Sequence, residues 1–394
     1  MNAIVPSVSL AECGEGVWDA LVIGAGCAGT VAARELARTS ARVLLVDKAR
    51  FPRYKVCGCC LGRPAQHALA AIGLGGLLAR EGAVTVRSFD LRAGRAHATV
   101  PLPGYAVLSR ERLDAALVDA AIAVGTAFLP GTQASLRSSS GDARCVQLRQ
   151  EGAIAAANAR IVIIADGLGS RLLRATDDFD SPPEATSRIG MGAVSVAAPT
   201  DYRPGTIYMA CGTQGYVGAA RREDGRLAIA AACDGALVKS SGGLSRAAAA
   251  VLDEAGYPAV PDIHEIEWKG TPALTRSATA VAAHRAFVVG DAAGYVEPFT
   301  GEGMKWAIES AIALAPIACS AIVKYDSRCE REWAAARQRI VAHRTAVCRA
   351  LAASLRHPAL VKTALRVLAV APAAAAPFVR RLNAPQPAQK EVVL

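Results

Sequence analysis

The 394-residue sequence predicts an α/β protein in which a parallel sheet carries helices, takes in an antiparallel sheet and ends in a helical extension. Three observations predict it. The apolar, β-favouring run Trp18–Ile23 enters a glycine-rich turn, an alanine-rich stretch through Arg38 and a second apolar run, Val43–Val46, which together make one βαβ unit. Strand-like segments and turns dominate from Ser187 to Trp268, the pattern of an inserted sheet. Past Tyr325 the chain is helical and basic, without a repeat.

The elements follow in order. After Asp47 the run Phe51–Cys60 has no period and reads as a loop, and a helix is expected from Pro64 to Ala79. Alternating runs between Thr85 and Val100 predict antiparallel strands, and Ser109 caps a helix reaching toward Gly125. Ser138 to Asp142 is the best hairpin turn, Ile161–Ala165 a buried strand ending at Asp166-Gly167, and Asp224-Gly225 a further turn. The short strand Ala286–Val289 precedes Gly290-Asp291 and a helix from Gly303 to Ile322. The apolar stretch Val367–Phe378 is too short to span a bilayer and is broken by Pro372 and Pro377, so it predicts a packed helix pair.

Composition narrows the class. With 52% hydrophobic and 20% charged residues the chain is globular. The formal net charge is +10, but basic residues are spread along the chain and only 5% of residues are aromatic, so nucleic acid is not an expected partner. The charge reads as solubility and attraction for a phosphate-bearing cofactor. Glu12, Glu15 and Asp19 argue against a secretory signal, which predicts a cytoplasmic protein without a transmembrane segment; peripheral membrane contact stays open, as does oligomeric state. The eleven cysteines are scattered and odd in number, as expected of reduced thiols.

Gly24-Ala25-Gly26-Cys27-Ala28-Gly29, followed by Asp47 and Lys48 at the end of the second strand, is a dinucleotide-binding pattern in its proper strand–turn–helix frame. Gly24 permits the tight turn, Gly26 the approach of a pyrophosphate and Gly29 close helix–strand packing, while the helix N-terminus faces the anion. Asp47 can accept hydrogen bonds from a ribose. The motif alone does not separate a nicotinamide from a flavin dinucleotide.

Two later motifs make that separation. Ala165-Asp166-Gly167-Leu168-Gly169-Ser170-Arg171 and Val289-Gly290-Asp291-Ala292-Ala293-Gly294, in that order after the first, resemble the flavoprotein superfamily of p-hydroxybenzoate hydroxylase and geranylgeranyl reductase. The resemblance covers about Val17 to Ile322. It implies a Rossmann-type, three-layer ββα FAD-binding domain from segments 15–85, 106–180 and 279–325, a substrate sheet from 86–105 and 181–278, and a helical extension over 326–394. It also implies non-covalent FAD, NAD(P)H as reductant and a hydrophobic small-molecule substrate. Asp291 would meet the ribityl chain, Arg110 would lie near the cofactor, and Gly301-Glu302-Gly303-Met304 would put a helix N-terminus at the flavin pyrimidine; Asp166, Gly167, Gly290, Pro298 and Cys59 complete the expected contacts.

Within the superfamily Cys57-Gly58, Gly294 and Glu302 look reductase-like, where aromatic hydroxylases commonly carry histidine and glutamine at the last two. The tryptophan motif of prenyl reductases and the paired tryptophans of halogenases are absent; the nearest segment is Gly215-Tyr216-Val217-Gly218. Cys57 and Cys60 have CxxC spacing, which suits flavin positioning first and a redox-active pair second. No second CxxC or histidine pair completes a zinc site, so no metal is expected. The flavin would carry the chemistry, with Cys57, Cys60 and Tyr216 as candidate residues beside it. Hydroxylation of an aromatic or polyketide-like metabolite is the first reading, reduction of a carbon–carbon double bond the alternative, and a flavin electron carrier without a substrate pocket the third.

Overall fold

The computed structural model describes residues 3–176, 178–197, 199–297, 299 and 301–384. Strand β1 (Val17–Ile23) connects through α1 (Cys27–Ala37) to β2 (Val43–Asp47), its parallel neighbour, which is the predicted βαβ unit. The loop after β2 reaches the short β3 (Cys60–Leu61), then α2 (Arg63–Ala71) and α3 (Leu77–Arg80). One helix was expected over Pro64–Ala79. It is broken because Gly73 turns the chain at φ 80°.

Strands β4 (Val84–Ala93) and β5 (Ala96–Val107) are the predicted antiparallel pair. Helix α4 (Arg110–Ile122) starts at Ser109, whose hydroxyl accepts a hydrogen bond from the Arg112 amide. Strand β6 (Ala127–Pro130) pairs with β2, and β7 (Gln133–Ser140), β8 (Ala143–Gln150) and β9 (Ala153–Ile164) form a meander that turns at Gly141-Asp142. The long β9 leaves β8 to run parallel beside β1, and short α5 (Arg171–Arg174) follows.

A second sheet holds β10 (Ile189–Ser195), β11 (Thr206–Cys211), β12 (Gly215–Arg221), β13 (Leu227–Cys233) and β14 (Lys269–Ala273) in the order β14-β10-β13-β12-β11-β4-β5-β3. It is antiparallel except where β11 runs parallel to β4. The strand-dominated reading of this region missed α6 (Gly235–Ser240) and α7 (Leu244–Glu254); Ala247, Ala248, Val251 and Leu252 form a buried helical stripe on α7. The chain returns through β15 (Arg276–Ser277), β16 (Ala282–Ala283) and β17 (Ala286–Val288), which joins the first sheet beside β9, while β18 (Gly294–Tyr295) pairs with β15. Helices α8 (Gly303–Val323), α9 (Arg328–Ser354), α10 (Pro358–Val370) and α11 (Ala376–Asn383) follow.

The period-two alternation of strands builds three layers around the first sheet. Ala20, Val22, Leu45 and Ile163 face α1, α4 and α8, whereas Leu21, Leu44, Val162 and Ile164 face Val146 and Leu148 of the meander. Among the described residues α8 alone is long and apolar enough to cross a membrane, yet Ile308, Ala311, Leu314 and Ala318 are buried in the helical layer, so it packs as a core helix. The second sheet alternates likewise. Val217, Ala219 and Ile229 face α7; Met209, Cys211, Tyr216 and Ala232 face the other way, toward Leu365 of α10 and toward Tyr295 and Phe299 of the returning chain.

Candidate cofactor and substrate site

The glycine-rich turn shows three different constraints. A Cβ on Gly24, held at φ 104°, would lie 2.4 Å from the Ala165 carbonyl oxygen, and one on Gly29 would lie 1.8 Å from the Gly24 oxygen. Those two positions let β1, β9 and α1 pack backbone to backbone. Gly26 has an ordinary φ of −84°, and a Cβ there would meet only cation tips, with Arg110 Nη2 and Arg53 Nη2 at 3.7 Å and Lys55 Nζ at 3.9 Å. Three positive charges thus ring an open space at the start of α1, a helix with no side-chain cap.

A carboxylate holds the ring in place. Asp114 is fully buried and takes Nε and Nη2 of Arg110 at 3.0 and 2.8 Å, with Arg53 Nη1 at 3.1 Å. Burial pushes its carboxyl pKa up, but Arg110, Arg53 and Lys55 outweigh that and hold it below the usual value. Arg110 is therefore a buried group facing the turn. Asp47 closes the other side: its carboxylate accepts from the Ala25 amide at 2.7 Å and the Ala49 amide at 2.8 Å. Lys48 beside it is exposed, and its charge acts on Asp166.

The later motifs converge on the same space. Gly290, at φ 63°, packs on Ala28, where its Cβ would lie 2.8 Å from the alanine methyl. Asp291 stands 3.7 Å from Lys55 Nζ, and a Cβ on Gly167 would stand 3.6 Å from the same nitrogen. Asp166 accepts from the Ser170 hydroxyl at 2.8 Å with one oxygen, while its other oxygen is buried and unpartnered; burial raises its pKa. Gly303 abuts the Tyr295 ring, Met304 is buried in the first turn of α8, and that helix too has no side-chain cap. Pro298 lies outside the described residues.

All three cysteines of the loop are free thiols. Cys57 Sγ accepts from the Cys59 amide at 3.3 Å; the Cys59 thiol first, then the Arg110 charge and that amide, lower its pKa despite burial. Cys59 adopts φ 59° with its thiol directed to the Cys57 carbonyl. Cys60 donates to the Gly58 carbonyl at 3.0 Å, and burial pushes its pKa up to about 12. A Cβ on Gly301 would lie 3.8 Å from the Cys60 Cβ, so the cysteine loop touches the turn that opens α8.

Tyr216 lies on the sheet face above that turn, its ring edge-on to Phe299 at 5.2 Å. Beside it Arg188, fully buried, pairs with Glu297 at 2.9 Å and Asp234 at 3.5 Å. The Tyr216 hydroxyl and Arg188 Nη2 are both buried without a hydrogen-bond partner. Burial raises the Tyr216 pKa, so the hydroxyl keeps its proton as a donor. From α9, Arg337 brings Nη2 to within 3.1 Å of where a Cβ on Gly294 would stand, and burial lowers its pKa to about 10.

Sequence reasoning missed Arg53, Lys55, Asp114, Arg188, Glu297 and Arg337. Basic residues in the loop straight after the acid of a βαβ unit were the available signal for the first two. Among the described residues no cluster of His, Cys, Asp or Glu is placed to hold a metal ion. The space about Gly26 fits a dinucleotide pyrophosphate: it is open, cationic and bounded by uncapped amides.

Comparison with known proteins agrees. The family described as FAD binding domain matches residues 18–321. Menaquinone reductase of Mycobacterium tuberculosis (strain CDC 1551 / Oshkosh) is 27% identical over 332 residues, 74% of each chain. The structure of p-nitrophenol 4-monooxygenase PnpA from Pseudomonas putida DLL-E4 superposes with a TM-score of 0.75 at 14% identity, covering 94% of this chain and 99% of that one. The myxobacterial chondrochloren halogenase CndH gives 0.66 at 23% identity, covering 80% and 78%. At such identities these two structures speak for the fold. With most of its length matched and its glycine turn, acid and return motif in place, the chain belongs to the FAD-binding domain family of the p-hydroxybenzoate hydroxylase-like superfamily and is an FAD-dependent oxidoreductase.

Proposed function

We propose that this oxidoreductase reduces a carbon–carbon double bond in an apolar, menaquinone-like molecule, with NAD(P)H as the source of electrons. The observation that carries the reading is the 27% identity, over 74% of the chain, to a menaquinone reductase. The Cys57-Gly58 loop and Glu302 point the same way. This reverses the order that sequence motifs alone favoured.

FAD, when bound, supplies the two-electron chemistry. Gly24, Ala25, Gly26, Ala28 and Gly29 with Arg53, Lys55 and Arg110 would hold its pyrophosphate, Asp47 and Lys48 the ribose end, and Asp166, Gly167, Gly290 and Asp291 the middle of the cofactor. Gly301, Gly303 and Met304 would present the uncapped start of α8 to the flavin pyrimidine, where a helix N-terminus favours negative charge. Cys57, Cys59 and Cys60 would wall the same end.

Segments 86–105 and 181–278 would supply the substrate face. Its wall of Met209, Cys211, Tyr216, Leu274 and Phe299 is apolar and excludes water. One polar pair interrupts it. Arg188 already faces two carboxylates, so its spare Nη2 and the Tyr216 hydroxyl suit a neutral acceptor such as a quinone carbonyl better than an acid. Hydroxylation of a phenolic substrate is the second reading, since the same pair would take a phenol oxygen.

The test is product mass. Holoprotein supplied with NADPH or NADH and a menaquinone is expected to yield a product that stays two hydrogens heavier after air has returned any quinol to quinone; a gain that air reverses marks reduction of the ring alone and overturns the double-bond reading. A product one oxygen heavier that forms only in air overturns the reductase reading in favour of hydroxylation.

A further inference from the structure

Ten Lys and Arg lie between Trp333 and Lys390 with no Asp or Glu among them, which equals the whole formal net charge of +10. Basic residues are spread along the chain, as the sequence suggested, but the net charge is not: the residues before Trp333 carry only +1. The excess sits on α9, α10, α11 and the residues that follow them.

Helix α10 is apolar on two sides. Val361, Leu365 and Leu368 pack on the second sheet beside Met209 and Tyr216. The opposite stripe, at helical spacing, is Leu360, Val367 and Val370, which are 58%, 54% and 89% exposed, and α11 adds a further exposed apolar side chain, Phe378, at 39%. Between the helices the exposed Ala371–Ala374 turn adds no charge. Arg366 borders this stripe, Lys362 lies farther round the helix with its Cε beside Gly94 in a small cavity that Glu254 also lines, and Arg380 stands beyond Phe378; all three are exposed and without an ion pair among the described residues. Soluble proteins seldom leave such side chains in water on adjoining helices.

We propose that the exposed face of α10 and α11 docks on an anionic lipid bilayer. An apolar stripe with a cationic border and no acid is the arrangement that lies in a membrane interface, its aliphatic and aromatic side chains in the acyl boundary and its cations at the headgroups. The acid-free charge selects anionic lipid over a second copy of this chain, whose matching surface is equally positive. Because the buried side of α10 roofs the Tyr216 wall, the docked helix stands between the bilayer and the substrate face. Delivery of an apolar substrate from the lipid rests on the proposed reductase function; docking does not.

The full-length holoprotein is tested by co-sedimentation with vesicles of phosphatidylcholine alone and of phosphatidylcholine with phosphatidylglycerol, without substrate. Binding is expected only to the phosphatidylglycerol vesicles, weakening as salt rises and by roughly fivefold for each cation removed in Lys362→Gln and Arg366→Gln. Val370→Asp is expected to abolish binding while flavin content and thermal stability hold, because that side chain packs against nothing. Absence of binding to anionic vesicles at low salt, or binding that Val370→Asp leaves intact, overturns the proposal. Concentration-dependent dimerisation that Val370→Asp dissolves, without vesicle binding, overturns it in favour of a self-contact. Turnover of a short-chain, soluble quinone is read separately; its loss in the unmodified protein would strike the proposed reaction and leave docking untouched.

Discussion

Replacing Gly26 by alanine separates the fold from the cofactor. Its φ of −84° and ψ of −176° suit any residue, and the new methyl would touch only guanidinium and ammonium tips no nearer than 3.7 Å. The apoprotein should therefore be unharmed or gain about 0.4–1 kcal/mol from a stiffer unfolded chain. The same methyl occupies the space a pyrophosphate needs, at the cost of one charge-assisted hydrogen bond to the turn, about 1.5–3 kcal/mol. That weakens FAD binding by about ten- to 150-fold. Gly29→Ala is the contrast, because its Cβ would lie 1.8 Å from the Gly24 oxygen and must move the backbone, so both stability and binding fall. Apoprotein melting and fluorescence titration with FAD give the two numbers for each variant. Unaltered FAD affinity in Gly26→Ala, or apoprotein losses as large as those of Gly29→Ala, would refute the assignment of that space.

Other consequences follow from the same geometry. Asp114→Asn strips Arg110 and Arg53 of their buried partner, costing about 3–5 kcal/mol, and at ~2.1 cal/mol/K per residue the apoprotein melts about 4–6 °C lower; bound FAD, bringing phosphate to the same cations, should shrink the loss. The Asp114 carboxyl is held below its usual value, so its contribution is complete above about pH 4 and disappears as pH falls through the lower folded value. The acid side of a melting-temperature profile should accordingly be shallower in Asp114→Asn than in the parent, and an unchanged slope would contradict the linkage. Tyr216→Phe removes a hydroxyl that has no protein partner, so the fold should not weaken while the KM for a carbonyl-bearing substrate rises about three- to tenfold; lost stability with unchanged KM would place the hydroxyl outside the substrate face. Cys57, its pKa lowered, should be alkylated near neutral pH before Cys60, and bound FAD should protect it. Peptide mass mapping that finds Cys60 modified first would count against that environment.

What the sequence made legible was local. The β1–α1–β2 unit, the turn and packing tasks of Gly24 and Gly29, the Ser109 cap and the strand leading to Asp291 each follow from a dozen or so consecutive residues. Arg53 and Lys55 were illegible because they sit in a loop without period, and only tertiary folding aims them at Gly26. Arg188 meets Glu297 across two sheets and the returning loop, a pairing that no spacing announces. Helix α7 hid among strands because alanine suits either period; the Ala247, Ala248, Val251 and Leu252 stripe was the available sign. Gly73 could have warned of the break between α2 and α3. The C-terminal region read as basic, but that it carries nearly all of the net charge did not stand out, because that signal is the absence of acids, which a search for clustered lysines and arginines passes over.

The most direct test of the proposed reaction is anaerobic rapid mixing of the reduced holoprotein with menaquinone, following the return of oxidised-flavin absorbance and the product formed. Reoxidation in step with a product that is still a quinone, two hydrogens heavier, after exposure to air is the predicted result. Flavin that stays reduced until oxygen is admitted would contradict it.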